Sequence, residues 1–176
     1  MNELLTNFVT LNASLLSVAI SFFLFGYIFL DKFKPLKFEL FEWFPDPQIV
    51  FEFYLDGLSG VMMVLISTLS LVIQLFSTSY MSKDEKYTKY FEYFNFFVFS
   101  MLLLVLSGNF LVMFFGWELV GLSSYLLISF WSEKKSASKA GNKAFILNRI
   151  GDFGFLIGLM MILNYFETFN FLSIFE

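Results

Sequence analysis

The sequence predicts an all-α membrane protein with about five transmembrane helices, on the strength of its composition and its long apolar runs. Hydrophobic residues make up 58% of the 176 residues, 28 residues are phenylalanine, and only 15% are charged. Several runs are about 20 residues long, which is the length of a helix that crosses the hydrocarbon of a bilayer. A soluble chain of this size would rarely bury so many uncharged runs in one core.

Five apolar runs supply the expected helices, and the chain is interpreted as a single membrane domain. Residues 31–56 separate the first two runs and hold three lysines, six acids and all three prolines. Because proline interrupts helices and aromatic rings favour the membrane surface, we expect an interfacial hairpin or loop there. The expected spans are residues 4–30, 57–80, 93–107, 110–131 and 144–166.

Lysines are unevenly distributed between the two sides of this bundle. Residues 81–92 and 132–143 together hold seven lysines, against three in residues 31–56. Loops rich in lysine and arginine stay on the cytoplasmic or matrix side of a membrane. The two lysine-rich loops are therefore predicted to lie inside.

The composition also excludes several kinds of chemistry. The chain has no cysteine and no histidine, so it offers neither thiolate nor imidazole metal ligands, and no metal site is expected. A net charge of −4 without basic clusters argues against nucleic acid as a partner and leaves the lipid bilayer as the expected environment. Any proton chemistry would have to use carboxylates, lysines, hydroxyls and water.

Glu118 is the only charged residue in the apolar run 110–131. A carboxylate at that depth in a membrane is costly, and such residues often mark proton or ion paths. The alternative is that Glu118 only bonds to a neighbouring helix as polar glue. Small residues surround it and would allow close helix approach or water, namely Gly116, Gly121, Ser123 and Ser124.

Arg149 and Asp152 place two further charges in the next apolar run. Residues three apart lie on one face of a helix, so the two are expected to form an ion pair. That pair could hold helices in register or take part in function, and burial alone does not decide between these roles. The spacing of Gly154 and Gly158 in the same run is typical of a helix-packing contact.

Four ordered blocks of the sequence closely resemble a known family, subunit 5 of proton-pumping NADH:ubiquinone oxidoreductase, respiratory complex I. The resemblance covers about two thirds of the chain, from Tyr54 to its end. The blocks are YLDGLSGVMMVLIS from Tyr54, TSYM from Thr78, GWELVGLSSYLLISFW from Gly116 and NRIGDFGFLIG from Asn148.

The resemblance implies an antiporter-like helix bundle in the proton-translocating membrane arm, which couples electron transfer from NADH to quinone to proton pumping. It implies that Glu118 is the proton carrier and that Arg149 and Asp152 form an ion pair that tunes the proton path. No redox chemistry is expected on this chain, so FMN, iron–sulfur clusters and ubiquinone would be bound elsewhere in the complex. The implied location is the mitochondrial inner membrane, with a bacterial inner membrane as the less favoured alternative.

The chain departs from the family pattern in two respects. Family members have two spans before the DGLS helix, where this chain has one, and they continue for many more helices. We therefore interpret the chain as the amino-terminal piece of a split subunit, in which a second polypeptide supplies the remaining helices and lysines beside other membrane-arm subunits. Two alternatives remain open: a subunit of a multisubunit cation/proton antiporter, and a structural fragment of the membrane arm that does not pump.

Overall fold

The chain folds as a bundle of helices with one two-stranded sheet. The computed structural model describes residues 3–32, 34–45 and 48–175, and the predicted helical membrane fold is confirmed, with the sheet as an addition. The elements in chain order are α1 (Glu3–Leu30), β1 (Leu36–Pro45), β2 (Gln48–Leu55), α2 (Gly57–Tyr80), α3 (Tyr87–Val105), α4 (Phe110–Ile128), α5 (Lys135–Phe166) and α6 (Phe171–Phe175).

Within the described residues, four helices are long and apolar enough to cross a membrane: α1, α2, α4 and α5. The bounds of α2 are those predicted, but α5 begins at Lys135 rather than at residue 144. The lysine-, serine- and alanine-rich stretch before residue 144 contains no proline, so nothing in it interrupts the helix. The predicted span 93–107 corresponds to α3, which begins six residues earlier at Tyr87; that α3 crosses the bilayer stays a prediction.

On α1 and α2, many polar side chains face the interior of the bundle, and large apolar side chains face outward. On α2 the buried residues include Ser67, Ser70, Gln74 and Ser77, whereas Leu69 on the opposite face is 52% exposed. A water-soluble protein has the reverse arrangement, because burial of apolar surface drives its folding. The inverted pattern fits helices that turn their apolar faces to lipid and satisfy their polar groups against one another.

A hydrogen-bonded node joins the first three helices. Gln74 on α2 accepts a hydrogen bond from Ser14 of α1 and donates through Nε2 to Asn95 Oδ1 of α3 at 2.6 Å. Closer to the end of the bundle, Ser77 Oγ and the Tyr90 hydroxyl lie 3.0 Å apart. Without water in the hydrocarbon, these side chains must find partners on neighbouring helices, and they thereby set the helix register.

The segment 31–56 contains an antiparallel hairpin, one of the two forms that the sequence predicts. β1 pairs with β2 from Leu36 opposite Leu55 to Pro45 opposite Gln48, with two irregularities in register along β1. Ring contacts stabilise the ladder, and the rings of Phe41 and Phe51 stack at 5.2 Å.

The hairpin lies over the turn between α3 and α4. The amide of Tyr54 donates to the Leu106 carbonyl at 2.8 Å, and the amide of Gly108 donates to the Glu52 carbonyl at 3.0 Å. A Cβ on Gly108 would lie 2.6 Å from Glu52 Cγ, so only glycine allows this close approach. The hairpin therefore holds the start of α4.

At the opposite end of the bundle, the loops before α3 and before α5 contact each other. Trp131 Nε1 donates to Asp84 Oδ2 at 2.8 Å, and Lys86 forms an ion pair with Glu133. Lys134 lies over the Trp131 ring at 4.6 Å. We refer to these residues as the loop clasp. It places both lysine-bearing loops at one end of the bundle, as the alternation of spans predicts.

Candidate functional site

Helix α4 carries Glu118 to the middle of its length. The helix begins at Asn109, whose Oδ1 accepts from the amide of Val112 at 2.9 Å, an arrangement typical of a helix N-cap. Glu118 follows the first helical residue, Phe110, by eight positions, which corresponds to about 12 Å along the axis. Its side chain is 20% exposed.

Arg149 on α5 contacts both acids of the site. Its Nη1 forms an ion pair with Glu118 Oε2 and lies 3.7 Å from Asp152 Oδ2. The Asp152 side chain is 8% exposed and the Arg149 side chain 45%. The structure therefore brings together the three residues singled out from the sequence, which we call the charged triad. Its closest ion pair joins α4 to α5, a contact that sequence spacing along one helix does not predict.

Trp117 is a fourth member of the site that the sequence analysis did not single out. Its indole Nε1 donates to Asp152 Oδ1 at 2.9 Å. The two oxygens of Asp152 therefore have different partners, one the indole and the other Arg149. Trp117 and Glu118 are consecutive, yet both reach α5. The sequence did contain a signal for this role, because Trp117 stands next to an acid in an apolar run. Its indole N–H needs an acceptor where water is absent.

Small residues allow the helices around the site to approach closely, as predicted for the run around Glu118. A Cβ on Gly116 would lie 2.8 Å from Leu104 Cα of α3, and one on Gly121 would lie 3.4 Å from the Asn148 amide nitrogen of α5. Gly116 is therefore a point of contact between α3 and α4.

Two glycines of α5, Gly154 and Gly158, are the pair whose spacing predicts a packing contact. Within the part of the chain that the structure describes, a Cβ added to Gly154 or Gly158 would meet nothing within 4 Å. The expected packing contact at this spacing is therefore not made by the described residues. Among the described residues, none packs closely against α5 at these two glycines.

A second polar cluster lies under the hairpin, next to the start of α4. Glu52 is 1% exposed; its Oε2 lies 2.9 Å from Lys37 Nζ, and its Oε1 accepts from Asn170 Nδ2 at 2.6 Å. Hydrogen bonds to Glu52 and Glu39 raise the pKa of Lys37 above its usual 10.5. These residues line a cavity of about 370 Å³. The cluster ties the hairpin to Asn170, just before α6, and Lys37 forms ion pairs with both Glu39 and Glu52.

Two family models match the chain over most of its length. One, described as NADH-ubiquinone oxidoreductase (complex I), chain 5 N-terminus, matches residues 43–91. The other, described as NADH:quinone oxidoreductase/Mrp antiporter, TM, matches residues 107–176 and so includes the whole charged triad.

Curated relatives carry the same names. The chain is 40% identical to NADH-ubiquinone oxidoreductase chain 5 of Acanthamoeba castellanii over 96% of its own length and 25% of the relative's. It is 41% identical to NADH-quinone oxidoreductase subunit L of Rickettsia bellii over 73% of its own length and 20% of the relative's. The chain therefore spans a fifth to a quarter of the length of these relatives.

Solved structures share the fold at low sequence identity. A membrane-bound sulfane sulfur reductase, an archaeal respiratory membrane complex, has a chain that matches with a TM-score of 0.82 at 21% identity, over 93% of this chain and 33% of that one. The Mrp complex of a Dietzia species matches with a TM-score of 0.71 at 20% identity, over 97% of this chain and 20% of that one. Taken with the family models and the relatives, this shows that the chain is a multi-pass membrane protein of the antiporter-like family that includes chain 5 of NADH:quinone oxidoreductase.

Proposed function

We propose that the chain forms part of the proton-translocating membrane arm of an NADH:quinone oxidoreductase, and that Glu118 carries the proton. The observation that carries this proposal is the charged triad between α4 and α5. With both acids ionised, two carboxylates face one guanidinium, so the triad has a net charge of −1. Because charge is unfavourable in a medium of low polarity, one proton bound to the triad, or one cation brought near it, would neutralise it.

Such a site can release and rebind a proton when a neighbouring positive charge approaches or withdraws. Within the described residues, Arg149 is the cation that contacts Glu118. We propose that a lysine from a partner chain supplies the mobile charge, that Arg149 and Asp152 bias its effect, and that neighbouring membrane-arm subunits complete the bundle. The solved structures that share the fold come from an archaeal respiratory membrane complex and from an Mrp complex, which supports neighbouring subunits.

Redox chemistry is assigned to other subunits in this proposal. The chain has no cysteine or histidine, the usual ligands of iron–sulfur clusters and haem, so its residues do not fit such groups. Electron transfer from NADH to quinone would supply the driving energy, and this chain would contribute the proton path. We further propose the mitochondrial inner membrane as its location. The Acanthamoeba relative supports this, and so does the high phenylalanine content, which is compatible with an A/T-rich organellar genome. Fractionation of organelles with an antibody to the chain tests the location.

Replacement of Glu118→Gln tests the proposal in the native complex reconstituted into vesicles. The amide keeps the shape of the side chain but cannot carry a proton, so we expect the ratio of protons pumped to electrons transferred to fall sharply while the complex still assembles. Glu133→Gln is the matched control, because Glu133 is an acid of the exposed loop clasp with a side chain 68% exposed. An unchanged ratio in the Glu118→Gln complex rejects Glu118 as the proton carrier and favours the non-pumping structural role.

A cation/proton antiporter is the second candidate. It is favoured by the family model that covers the charged triad, whose description includes Mrp antiporters, and by the fold shared with the Mrp complex. Identification of the subunits that co-purify with the native chain separates the two functions. Flavin- or iron–sulfur-containing partners support the oxidoreductase, and their consistent absence from an intact assembly supports the antiporter.

A further inference from the structure

The two oxygens of the Asp152 carboxylate are engaged on different sides. Oδ1 accepts from Trp117 Nε1 at 2.9 Å, whereas Oδ2 lies 3.7 Å from Arg149 Nη1, which is beyond the usual length of a charge-assisted hydrogen bond. The Arg149 guanidinium is instead in close contact with Glu118. The two acids therefore compete for one cation, and in this structure Glu118 holds it.

Rotation of the Asp152 carboxylate would allow Asp152, instead of Glu118, to hold Arg149. Asp152 and Arg149 lie three positions apart on α5, close enough for a direct ion pair along the helix face. A carboxylate with both oxygens free could bind a guanidinium through two parallel hydrogen bonds, which is the strongest such geometry. The hydrogen bond from the indole to Oδ1 fixes the orientation of the carboxylate, so the rotation that would present both oxygens to Arg149 requires this bond to break.

The Trp117 ring is itself held in place by neighbouring aromatic side chains. It is stacked against Phe155 with centroids 6.3 Å apart and planes inclined by 20°, and Phe155 stacks against Phe114 at 5.3 Å. The ring also lines an apolar cavity of about 750 Å³ between α2, α4 and α6. The stack determines the direction in which the indole N–H points.

We propose that Trp117 is a positioning residue: its hydrogen bond to Asp152 Oδ1 holds the carboxylate with only Oδ2 toward Arg149, so that Arg149 remains on Glu118. The functional consequence rests on the proposed function. With Glu118 as the proton carrier, the positive charge of Arg149 stays next to it only because of Trp117. Loss of a hydrogen bond to a charged group shifts such a balance by roughly ten- to a hundredfold. The indole N–H therefore decides which acid holds the guanidinium.

Distance measurements on the full chain in lipid bilayers test the proposal directly. Arg149 is the only arginine in the sequence, so isotope-labelled arginine places a single reporter in the site for solid-state NMR. In Trp117→Phe, which keeps a ring and removes the N–H, we expect the guanidinium carbon to move toward the Asp152 carboxyl carbon and away from that of Glu118. Trp131→Phe is the matched control, since it removes an indole hydrogen bond to an aspartate outside the site.

A second perturbation covers the case in which Trp117→Phe does not fold. In a chain carrying Trp43→Phe and Trp131→Phe, incorporation of benzothienylalanine in place of tryptophan replaces the remaining N–H by sulfur without changing the ring shape. The same movement of Arg149 is expected. Arg149 distances that match those of the parent chain in both folded variants overturn the proposal.

The pumping assay keeps this inference distinct from the proposed function. In the assembled complex, Trp117→Phe should lower the proton-to-electron ratio and shift its pH profile, while Trp131→Phe should leave both unchanged. A moved Arg149 combined with full pumping in Glu118→Gln retains the positioning role and rejects the proton carrier. An unmoved Arg149 combined with loss of pumping in Glu118→Gln retains the carrier and rejects the positioning role.

Discussion

At the scale of single residues, the site is built from consecutive positions with different tasks. Gly116 lies against the backbone of α3, Trp117 donates to Asp152, and Glu118 pairs with Arg149. Three residues along a helix point in three directions about 100° apart, so this short segment contacts α3 and α5 together. A displacement of α4 would therefore change the contacts of all three residues.

Gly116→Ala is expected to destabilise the chain. The added Cβ would lie 2.8 Å from Leu104 Cα and 2.9 Å from Leu104 N, and because these are backbone atoms, α3 and α4 would have to separate. Overpacking of this kind costs about 1–3 kcal/mol. The measurement is the unfolding free energy of the purified chain in detergent.

Gly154→Ala is the matched control on α5. The same change there meets nothing within 4 Å, and the higher helix propensity of alanine should stabilise the helix by up to about 1 kcal/mol. Equal unfolding free energies for the two variants would contradict the close contact between α3 and α4.

At the scale of elements, α2 shows how a helix begins where the chain leaves the hairpin. The amide of Ser59 donates to Asp56 Oδ1 at 2.8 Å, and the amide of Asp56 donates to Ser59 Oγ at 2.7 Å. This reciprocal capping box satisfies two donors that the first turn leaves unpaired.

Asp56→Ala should lower the unfolding free energy by about 1 kcal/mol, because it removes the acceptor of the cap. Asp56→Asn retains an oxygen at the same position and should recover most of that loss. The variants are compared by chemical denaturation in detergent, with Asp31→Ala, at an exposed turn residue, as the reference for loss of charge alone. A loss in Asp56→Asn as large as in Asp56→Ala would show that charge, and not capping, is responsible.

The loop clasp connects two elements that are distant in sequence, and its stability should depend on pH. Hydrogen bonds from Trp131 and from the Lys86 amide hold the pKa of Asp84 below its usual 3.8, and Lys86 lowers the pKa of Glu133 from 4.5. A carboxyl whose pKa is lower in the folded state stabilises that state above its unfolded pKa. This contribution is lost as the pH falls through the lower, folded value.

We therefore expect the clasp to loosen on acidification below pH 3.8, the usual pKa of Asp84. Because the chain has no cysteine, spin labels at Lys83→Cys and Lys135→Cys report the distance between the two loops by pulsed electron resonance. The distance distribution should broaden in acid. A chain that also carries Asp84→Asn and Glu133→Gln should show no such pH step, and a step that persists there would assign the change to other groups.

At the scale of the whole molecule, the bundle buries many polar residues and leaves large apolar side chains exposed over its outer surface. Thr6, Thr10, Ser14 and Ser21 are buried along one face of α1, and exposed leucine, valine and phenylalanine side chains surround them. Over most of the outer surface, these exposed apolar side chains are therefore suited to contact with lipid rather than with water.

A charged side chain on that outer surface should therefore raise the insertion free energy only near the middle of the membrane. Leu69, in the middle of α2, is 52% exposed, and Leu58, at its start, is 74% exposed. Leu69→Lys should raise the insertion free energy of the α2 segment by about 3 kcal/mol, whereas Leu58→Lys should cost little, because its side chain can reach the interface. Glycosylation mapping of insertion in microsomes compares the two, and equal insertion would contradict the position of α2 across the bilayer.

Much of this organisation follows from the sequence alone. Uninterrupted apolar runs determined the helical membrane class, and Gly57–Tyr80 was predicted to the residue because Asp56 caps it and a charged loop follows. Glu118, Arg149 and Asp152 stand alone in apolar runs, which marked them as candidate functional residues. A charged side chain in a membrane is costly, and such residues often have a functional role. These are local properties of composition and spacing, which a linear sequence contains in full.

Only the tertiary structure decided how those residues are paired. Spacing along α5 favours Arg149 with Asp152, but the packing of α4 against α5 gives the close contact to Glu118 and places Trp117 on Asp152. The hydrogen bonds from Asn109 to Val50 and from Asn170 to Glu52 likewise join residues more than 50 positions apart. Contacts across helices depend on the angle and depth at which two elements pack, and those quantities are set by the whole bundle rather than by any one segment.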